Sequence, residues 1–342
     1  MFYVTDYTFA VMLCVVCMFC WGSWGNTQKL AGKSWRYELF YWDYVIGILV
    51  FSILMGLTAG SMGEGAAWGF VANLKSSFGG NWLWPFMAGI VFNASNILLA
   101  AAISVAGMSV AFPVGVGLAL VGGTVFNYLQ DGKGSLELIV VGLVLIVASI
   151  VCNARAFKIR QAACGEANDA ARVRKGLILA VVAGLLMMWF SPLVNKVVDM
   201  GFMQGAAEPA AGMMTPYAAF FVFAVGIFVS NFVWNTLAMK HPVDGEKVSY
   251  AAYFKGGFPI HLVGALGGII WGLGTLLSFV CAGAAGKAIS YALGQGATLV
   301  SALWGILIWK EFKGAPRAAH LLNLAMFVLF MLGLAGLVMA GA

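Results

Sequence analysis

Apolar stretches close to twenty residues long recur along the whole of this 342-residue chain. Each is long enough to cross a hydrocarbon core of roughly 30 Å as a helix. Only 9% of the residues are charged, whereas a soluble domain carries about 25%, so this chain has too little charge to cover a water-facing surface. A transmembrane β-barrel does not fit either, because the apolar runs are too long and do not alternate. The 44 glycines suit helices whose backbones approach closely in lipid. The expected class is an all-α integral membrane protein.

Ten transmembrane helices are predicted, over 8–26, 42–60, 82–104, 109–128, 136–152, 176–196, 215–238, 258–281, 288–309 and 318–340. The third and fourth, and the eighth and ninth, are parted only by short turns at Gly107 and Gly286. Merging either pair would need a helix of roughly forty-five residues, too long for an ordinary bilayer. A cleaved leader is not expected, since the first run has no basic residue before it and no small-residue cleavage site after it. Cys14, Cys17 and Cys20 lie three apart on an apolar helix with no histidine or acid between them. They read as small packing residues; no metal site and no cofactor is expected.

Basic residues orient the spans. Loops after odd-numbered spans hold Lys33, Arg36, Arg155, Lys158, Arg160, Arg172, Arg174, Lys175, Lys240, Lys247, Lys255, Lys310, Lys313 and Arg317. The opposite side holds Lys75, Lys133, Lys196 and Lys287. The positive-inside rule therefore puts the odd loops in the cytoplasm and both termini outside, in a multi-pass protein of the cell (inner or plasma) membrane. The net charge of +6 is then answered by anionic lipid and needs no nucleic-acid partner.

Shifting the chain by 179 positions lays Gly89-Ile90 on Gly268-Ile269, Leu98 on Leu277, and Ala106-Gly107 on Ala285-Gly286. The match continues with Gly115 on Gly294, Gly117 on Gly296, and Leu120-Val121 on Leu299-Val300. A second pairing sets Trp21-Gly22-Ser23 on Trp189-Phe190-Ser191. We read residues 1–153 as one five-helix repeat, 154–175 as a basic cytoplasmic connecting loop, and 176–342 as a second repeat. An odd number of spans per repeat inserts the second upside down. Carriers use this arrangement to open one midplane site to either side in turn.

Several blocks resemble ureide permeases. They are Met18-Phe19-Cys20-Trp21-Gly22-Ser23-Trp24, Tyr41-Trp42-Asp43-Tyr44, and Phe126-Asn127-Tyr128-Leu129 with Asp131 and Lys133. The second half adds Lys175-Gly176-Leu177, Phe190-Ser191-Pro192 with Asn195, His241-Pro242-Val243, and Trp304-Gly305 with Glu311. The chain is more distantly similar to bacterial glucose/ribose porters and the rhamnose–proton symporter, all within the drug/metabolite transporter superfamily. The resemblance implies ten helices in two inverted halves and uptake of a small neutral polar solute, usually with protons. The solute would be a ureide or nucleobase, or alternatively a monosaccharide. Plant ureide permeases carry a longer central loop with a nucleotide-binding-like motif. Here 153–175 is short and has no G-x-x-x-x-G-K-[ST], so ATP regulation does not carry over.

A neutral solute rich in donors and acceptors calls for amides, hydroxyls and aromatic faces at mid-depth, where each polar residue is costly to insert. The candidates are Trp21, Trp24, Asn26, Asn93, Asn96, Trp189, Asn195, Trp271, Thr275, Tyr291, Gln295 and Thr298. Asn93 and Asn96 share a helix face, as do Gln295 and Thr298; either pair serves a solute or holds helices together. Trp21 and Trp189 either stack on a ring, close gates, or anchor at the interface. Asp43 is the expected coupling acid, with a helix N-cap as its plainer role. His261 reads first as a helix-end histidine. An embedded enzyme is not expected, because H-E-x-x-H and G-x-S-x-G are both absent. An exporter of lipophilic cations would be expected to use a buried acid, and no glutamate falls within a span core. A channel fits the doubled halves less well than alternating access does.

Overall fold

The computed structural model describes residues 1–32, 35–62, 68–163 and 170–341. Its helices are α1 (Tyr7–Leu30), α2 (Tyr37–Leu57), α3 (Phe70–Ser77), α4 (Leu83–Ala106), α5 (Met108–Asp131), α6 (Leu136–Ala163) and α7 (Ala170–Met187). Then follow α8 (Phe190–Asn195), α9 (Pro216–Lys240), α10 (Tyr250–Tyr253), α11 (Phe258–Ala285), α12 (Lys287–Gln295), α13 (Ala297–Leu303) and α14 (Arg317–Gly341). Among the described residues these make 10 spans long and apolar enough to cross a membrane. The sixth span is α7 with α8. The ninth is α12 with α13 and a π-turn over Trp304–Ile308.

Three boundaries differ from expectation. The segment 153–175 is helical at both ends, because α6 runs on to Ala163 and α7 starts at Ala170. Ala154, Arg155, Lys158, Arg160 and Gln161 are strong helix formers, so the chain leaves lipid without leaving the helix. Residues 164–169 lie outside the described residues. Helix α2 starts at Tyr37, a turn before the expected position, which brings Glu38 and Tyr41 into it. The short α3 was not expected. Its Asn73 accepts from the Thr215 N–H (2.8 Å) and donates to the Met213 carbonyl (3.0 Å), tying α3 to the start of α9.

The turns at Gly107 and Gly286 have φ of +83° and +85°, a left-handed region that glycine enters without steric cost. Each glycine ends one span and starts the next.

Helix α1 lies against α11, α12 and α13; α2 against α11 and α9; α4 against α7 and α9. Helix α5 lies against α7, α12 and α13, and α6 against α14. Replacing every span by the one five places away returns the same set of neighbours. The tightest crossings obey the same exchange. A Cβ on Gly47 would stand 2.2 Å from the Ala265 carbonyl oxygen, and one on Gly268 2.0 Å from that of Tyr44. Between the third and seventh spans, a Cβ on Gly226 would stand 2.2 Å from the Phe86 oxygen, and one on Gly89 2.2 Å from that of Phe223. Gly47 and Gly226, Ala265 and Phe86, Gly268 and Gly89, and Tyr44 and Phe223 are each separated by the 179 residues of the sequence shift. Only glycine admits backbones this close.

Candidate functional site

At the centre of the bundle the first, third, fourth, sixth, eighth and ninth spans converge on a small chamber. It is lined by Trp21, Trp24, Phe92, Asn96, Leu99, Phe112, Val116, Met187, Phe190, Trp271, Gln295 and Ala297. Both broken spans break beside it: the sixth between Met187 and Phe190, the ninth at Gln295–Gly296. Phe92 stacks on Trp271 at 4.4 Å, and Trp21 lies nearly parallel to Trp271 at 6.3 Å and 14°. Phe190 meets Phe92 edge-on at 5.2 Å. The Trp21 indole donates to Thr275 Oγ1 (3.1 Å), which fixes its plane. The polar lining is two carboxamides, Asn96 and Gln295, and none of the lining side chains is ionisable. Free volume is about 20 Å³, room for about one water against the several hundred cubic ångströms of a typical ligand site. The aromatic walls are therefore closely packed in this structure.

A vestibule of about 620 Å³ opens on the face carrying the basic loops, lined by Gln28, Lys29, Trp35, Arg36 and Trp309 among others. Gln28 stands one turn beyond Trp24 on α1 and donates to the Ala100 carbonyl of α4 (3.1 Å). Gln28 lines the vestibule, while Trp24 lines the chamber.

Polar latches tie spans together at the two faces. On the basic face α1 is joined three times to the end of the ninth span and the turn that follows it. Trp304 Nε1 donates to Ser23 Oγ (3.0 Å), Trp309 Nε1 to Asn26 Oδ1 (2.7 Å), and Lys29 pairs with Glu311. Glu311 also accepts from Ser109 N (2.9 Å), Ser109 Oγ (2.6 Å) and Met108 N (3.2 Å), capping α5. Burial resists ionisation of Glu311, but the Lys29 ammonium and the Ser109 donors outweigh it and hold the carboxyl below its ordinary range. On the opposite face the fourth and sixth spans are joined. Asn195 donates to Asn127 Oδ1 (3.0 Å), Asn127 to Ser191 Oγ (3.2 Å), and Gln130 to the Pro192 carbonyl (2.7 Å). There Asp131 caps α12 through Lys287 N (2.8 Å), and Lys287 Nζ donates to the Asn195 carbonyl (2.9 Å).

The sequence-selected residues thus fall into groups. Trp21, Trp24, Asn96, Trp271 and Gln295 meet in the chamber, with Thr275 behind Trp21. Asn26 and Asn195 belong to the two latches. Tyr291 donates to the Ala119 carbonyl (3.1 Å), and Thr298 is buried farther along the ninth span. Trp189 is 39% exposed and stacks on Phe126 at 4.2 Å, because the break before α8 turns it outward and aims Phe190 inward. Asn93 faces the seventh span, donating to Ile227 O (3.1 Å) and Ser230 Oγ (3.0 Å). Asp43 stands apart from the chamber. Its carboxylate receives Tyr253 Oη (2.5 Å) and Trp35 Nε1 (3.3 Å) and touches His261 Nδ1 (2.8 Å). Burial and the Asp43 carboxylate push the Tyr253 phenol above its ordinary range, so it stays a donor. Sequence reasoning missed Phe92, Phe112 and Phe190, which have no polar tag. It also missed Tyr41 and Tyr44, whose spacing of three on α2 is the signal that finds them.

This division is measurable. Asn93→Ala is expected to cost about 1–2 kcal/mol of stability through two lost hydrogen bonds and leave ligand affinity within threefold. Gln295→Ala is expected to lower affinity at least tenfold with little change in melting temperature. Melting curves with and without ligand read both, and equal behaviour of the two variants would erase the distinction.

A family model described as ureide permease matches residues 168–341. Similarity to individual proteins extends over more of the chain. Ureide permease 1 of Arabidopsis thaliana is 22% identical, covering 95% of each chain. Ureide permease 5 of the same plant is 23% identical, covering 99% of this chain and 96% of its own. A probable glucose uptake protein, GlcU, of Staphylococcus aureus is 26% identical over 62% of each chain.

Proposed function

The chain belongs to the ureide permease family, and on that premise we propose that it carries a flat, neutral, ureide- or nucleobase-like solute by alternating access. As a multi-pass membrane protein it is a transporter of small solutes. The observation that carries the finer reading is the chamber: parallel aromatic planes, two carboxamides and no ionisable lining. Stacked rings favour a planar guest, and carboxamides match the alternating N–H and C=O groups of a ureide. The similarity to GlcU supports a second reading, a monosaccharide laid on the same rings.

The matched neighbour set and the glycine crossings 179 residues apart support an inverted repeat, and the latches on opposite faces support alternating exposure of the chamber. The basic loops favour a cell-membrane protein with both termini outside. Asp43, buried against His261 and Tyr253 at the basic face, is our candidate for proton coupling. Asp43→Asn is expected to abolish pH-dependent accumulation in proteoliposomes while sparing solute exchange; unchanged accumulation removes Asp43 from that role.

A thermal-shift screen on detergent-purified protein tests the solute class, because a ligand that binds the folded state raises its melting temperature. Selective stabilisation by allantoin or uracil is the expected result. Stabilisation by a monosaccharide alone moves the protein to the sugar reading, and no shift with either class sinks the neutral-solute assignment.

A further inference from the structure

Resting on that reading of the chamber, we propose that Tyr41 and Tyr44 set its hydrogen-bonding polarity by holding the Asn96 carboxamide in one orientation. Neither tyrosine lines the chamber, and both are fully buried. They stand three residues apart on one face of α2, with rings stacked at 5.3 Å, and Trp24 lies against Tyr44 at 4.9 Å. Across from them, Asn96 Nδ2 donates to Tyr41 Oη (3.2 Å) and to Tyr44 Oη (3.3 Å).

A primary carboxamide has two N–H donors and one carbonyl acceptor. The tyrosines take both donors. What Asn96 has left to offer the chamber is its carbonyl oxygen. The site therefore asks for an N–H or O–H on the solute at that point and disfavours a bare carbonyl or an N-alkyl group. A buried acceptor left unmet penalises the wrong guest more than a met one rewards the right guest. A phenol can donate as well as accept; it is the placement of the carboxamide nitrogen between both phenol oxygens that leaves the carbonyl as the free end, and without the phenols nothing described here holds that placement. The carboxamide would then be free to turn its N–H₂ inward. Tyr41 and Tyr44 are thus positioning residues acting through Asn96.

The test uses uracil with its N1-methyl and N3-methyl derivatives, measured for binding to purified protein by calorimetry. Wild type is expected to bind uracil and to discriminate at least tenfold against one of the two methylated forms. In the Tyr41→Phe/Tyr44→Phe double variant that ratio is expected to fall to threefold or less, with uracil itself still bound. If uracil and the disfavoured derivative weaken in equal proportion, the tyrosines only support the fold and the inference is overturned. It is equally overturned if wild type binds uracil without distinguishing either methyl position. Should the double variant not be recovered folded, the single variants read the same ratio, each expected to fall between the two limits; wild-type ratios in both overturn the inference. Failure of wild type to bind uracil at all is a different result. It removes the ureide reading of the chamber and this inference with it.

Discussion

Trp271→Ala is expected to abolish solute uptake, lowering it at least a hundredfold, and to destabilise the protein by about 3–5 kcal/mol. Trp271 is the wall shared by most of the chamber's rings. It stacks on Phe92 and Trp21 and touches Tyr44 and Phe223. Truncation removes the plane on which a flat guest would lie and leaves a cavity among side chains that are themselves almost wholly buried. Trp271→Phe separates the two effects. It is expected to keep most of the stability, since an aromatic ring still fills the gap, while affinity falls about tenfold from the lost stacking area. Uptake by purified variant in proteoliposomes, paired with a melting curve, is the measurement. Uptake within threefold of wild type in the alanine variant would mean that the solute passes elsewhere.

Glu311→Ala is expected to be comparably damaging for a different reason, costing about 3–5 kcal/mol by stranding a partly buried Lys29 ammonium. It also uncaps α5 at Met108 and Ser109. The sign of the pH dependence follows from the lowered carboxyl. A group whose folded value is depressed stabilises fully above its ordinary value, near 4.5, and loses that contribution as pH falls through the folded value. The stability gap between wild type and Glu311→Gln should therefore be flat from pH 8 to about pH 5 and close only in stronger acid. A gap that changes between pH 6 and 8 would mean that the latch titrates in the neutral range, and proton coupling would then have to be sought there instead of at Asp43.

Hydropathy alone was enough to place ten spans, because a twenty-residue apolar run in a chain this poor in charge has few alternatives to crossing lipid. It misplaced the ends where Arg155, Lys158 and Arg160 continue α6 beyond the apolar run, since hydropathy marks the edge of lipid and not the edge of a helix. Within the chamber, Trp21, Trp24, Asn96, Trp271 and Gln295 stood out as polar or amphipathic residues set among aliphatic ones. Phe92, Phe112 and Phe190 could not, because a phenylalanine that faces lipid and one that faces a chamber have the same sequence signature. Asn93 and Asn96 show the converse limit. Spacing put them on one face, yet three residues of helix rotate the side chain enough that one meets Ser230 and the other meets Tyr41. The sequence sets Trp21 against Trp189 as repeat positions; in the bundle it is Phe190, one residue on and just past the helix break, whose ring meets Trp21.

The glycine crossings match between the two halves, but the latches do not. One face is tied by an ammonium–carboxylate pair and two indole donors, the other by a chain of amides and a lysine on a backbone carbonyl. If the two halves rock as proposed, the resting tilt is left to whatever differs between the two ends. Dissolved salt weakens a partly exposed ion pair and leaves amide hydrogen bonds nearly untouched. Under the proposed alternating access, ionic strength on the basic side becomes a setting: concentrated electrolyte is expected to loosen that face first, and dilute electrolyte to hold it.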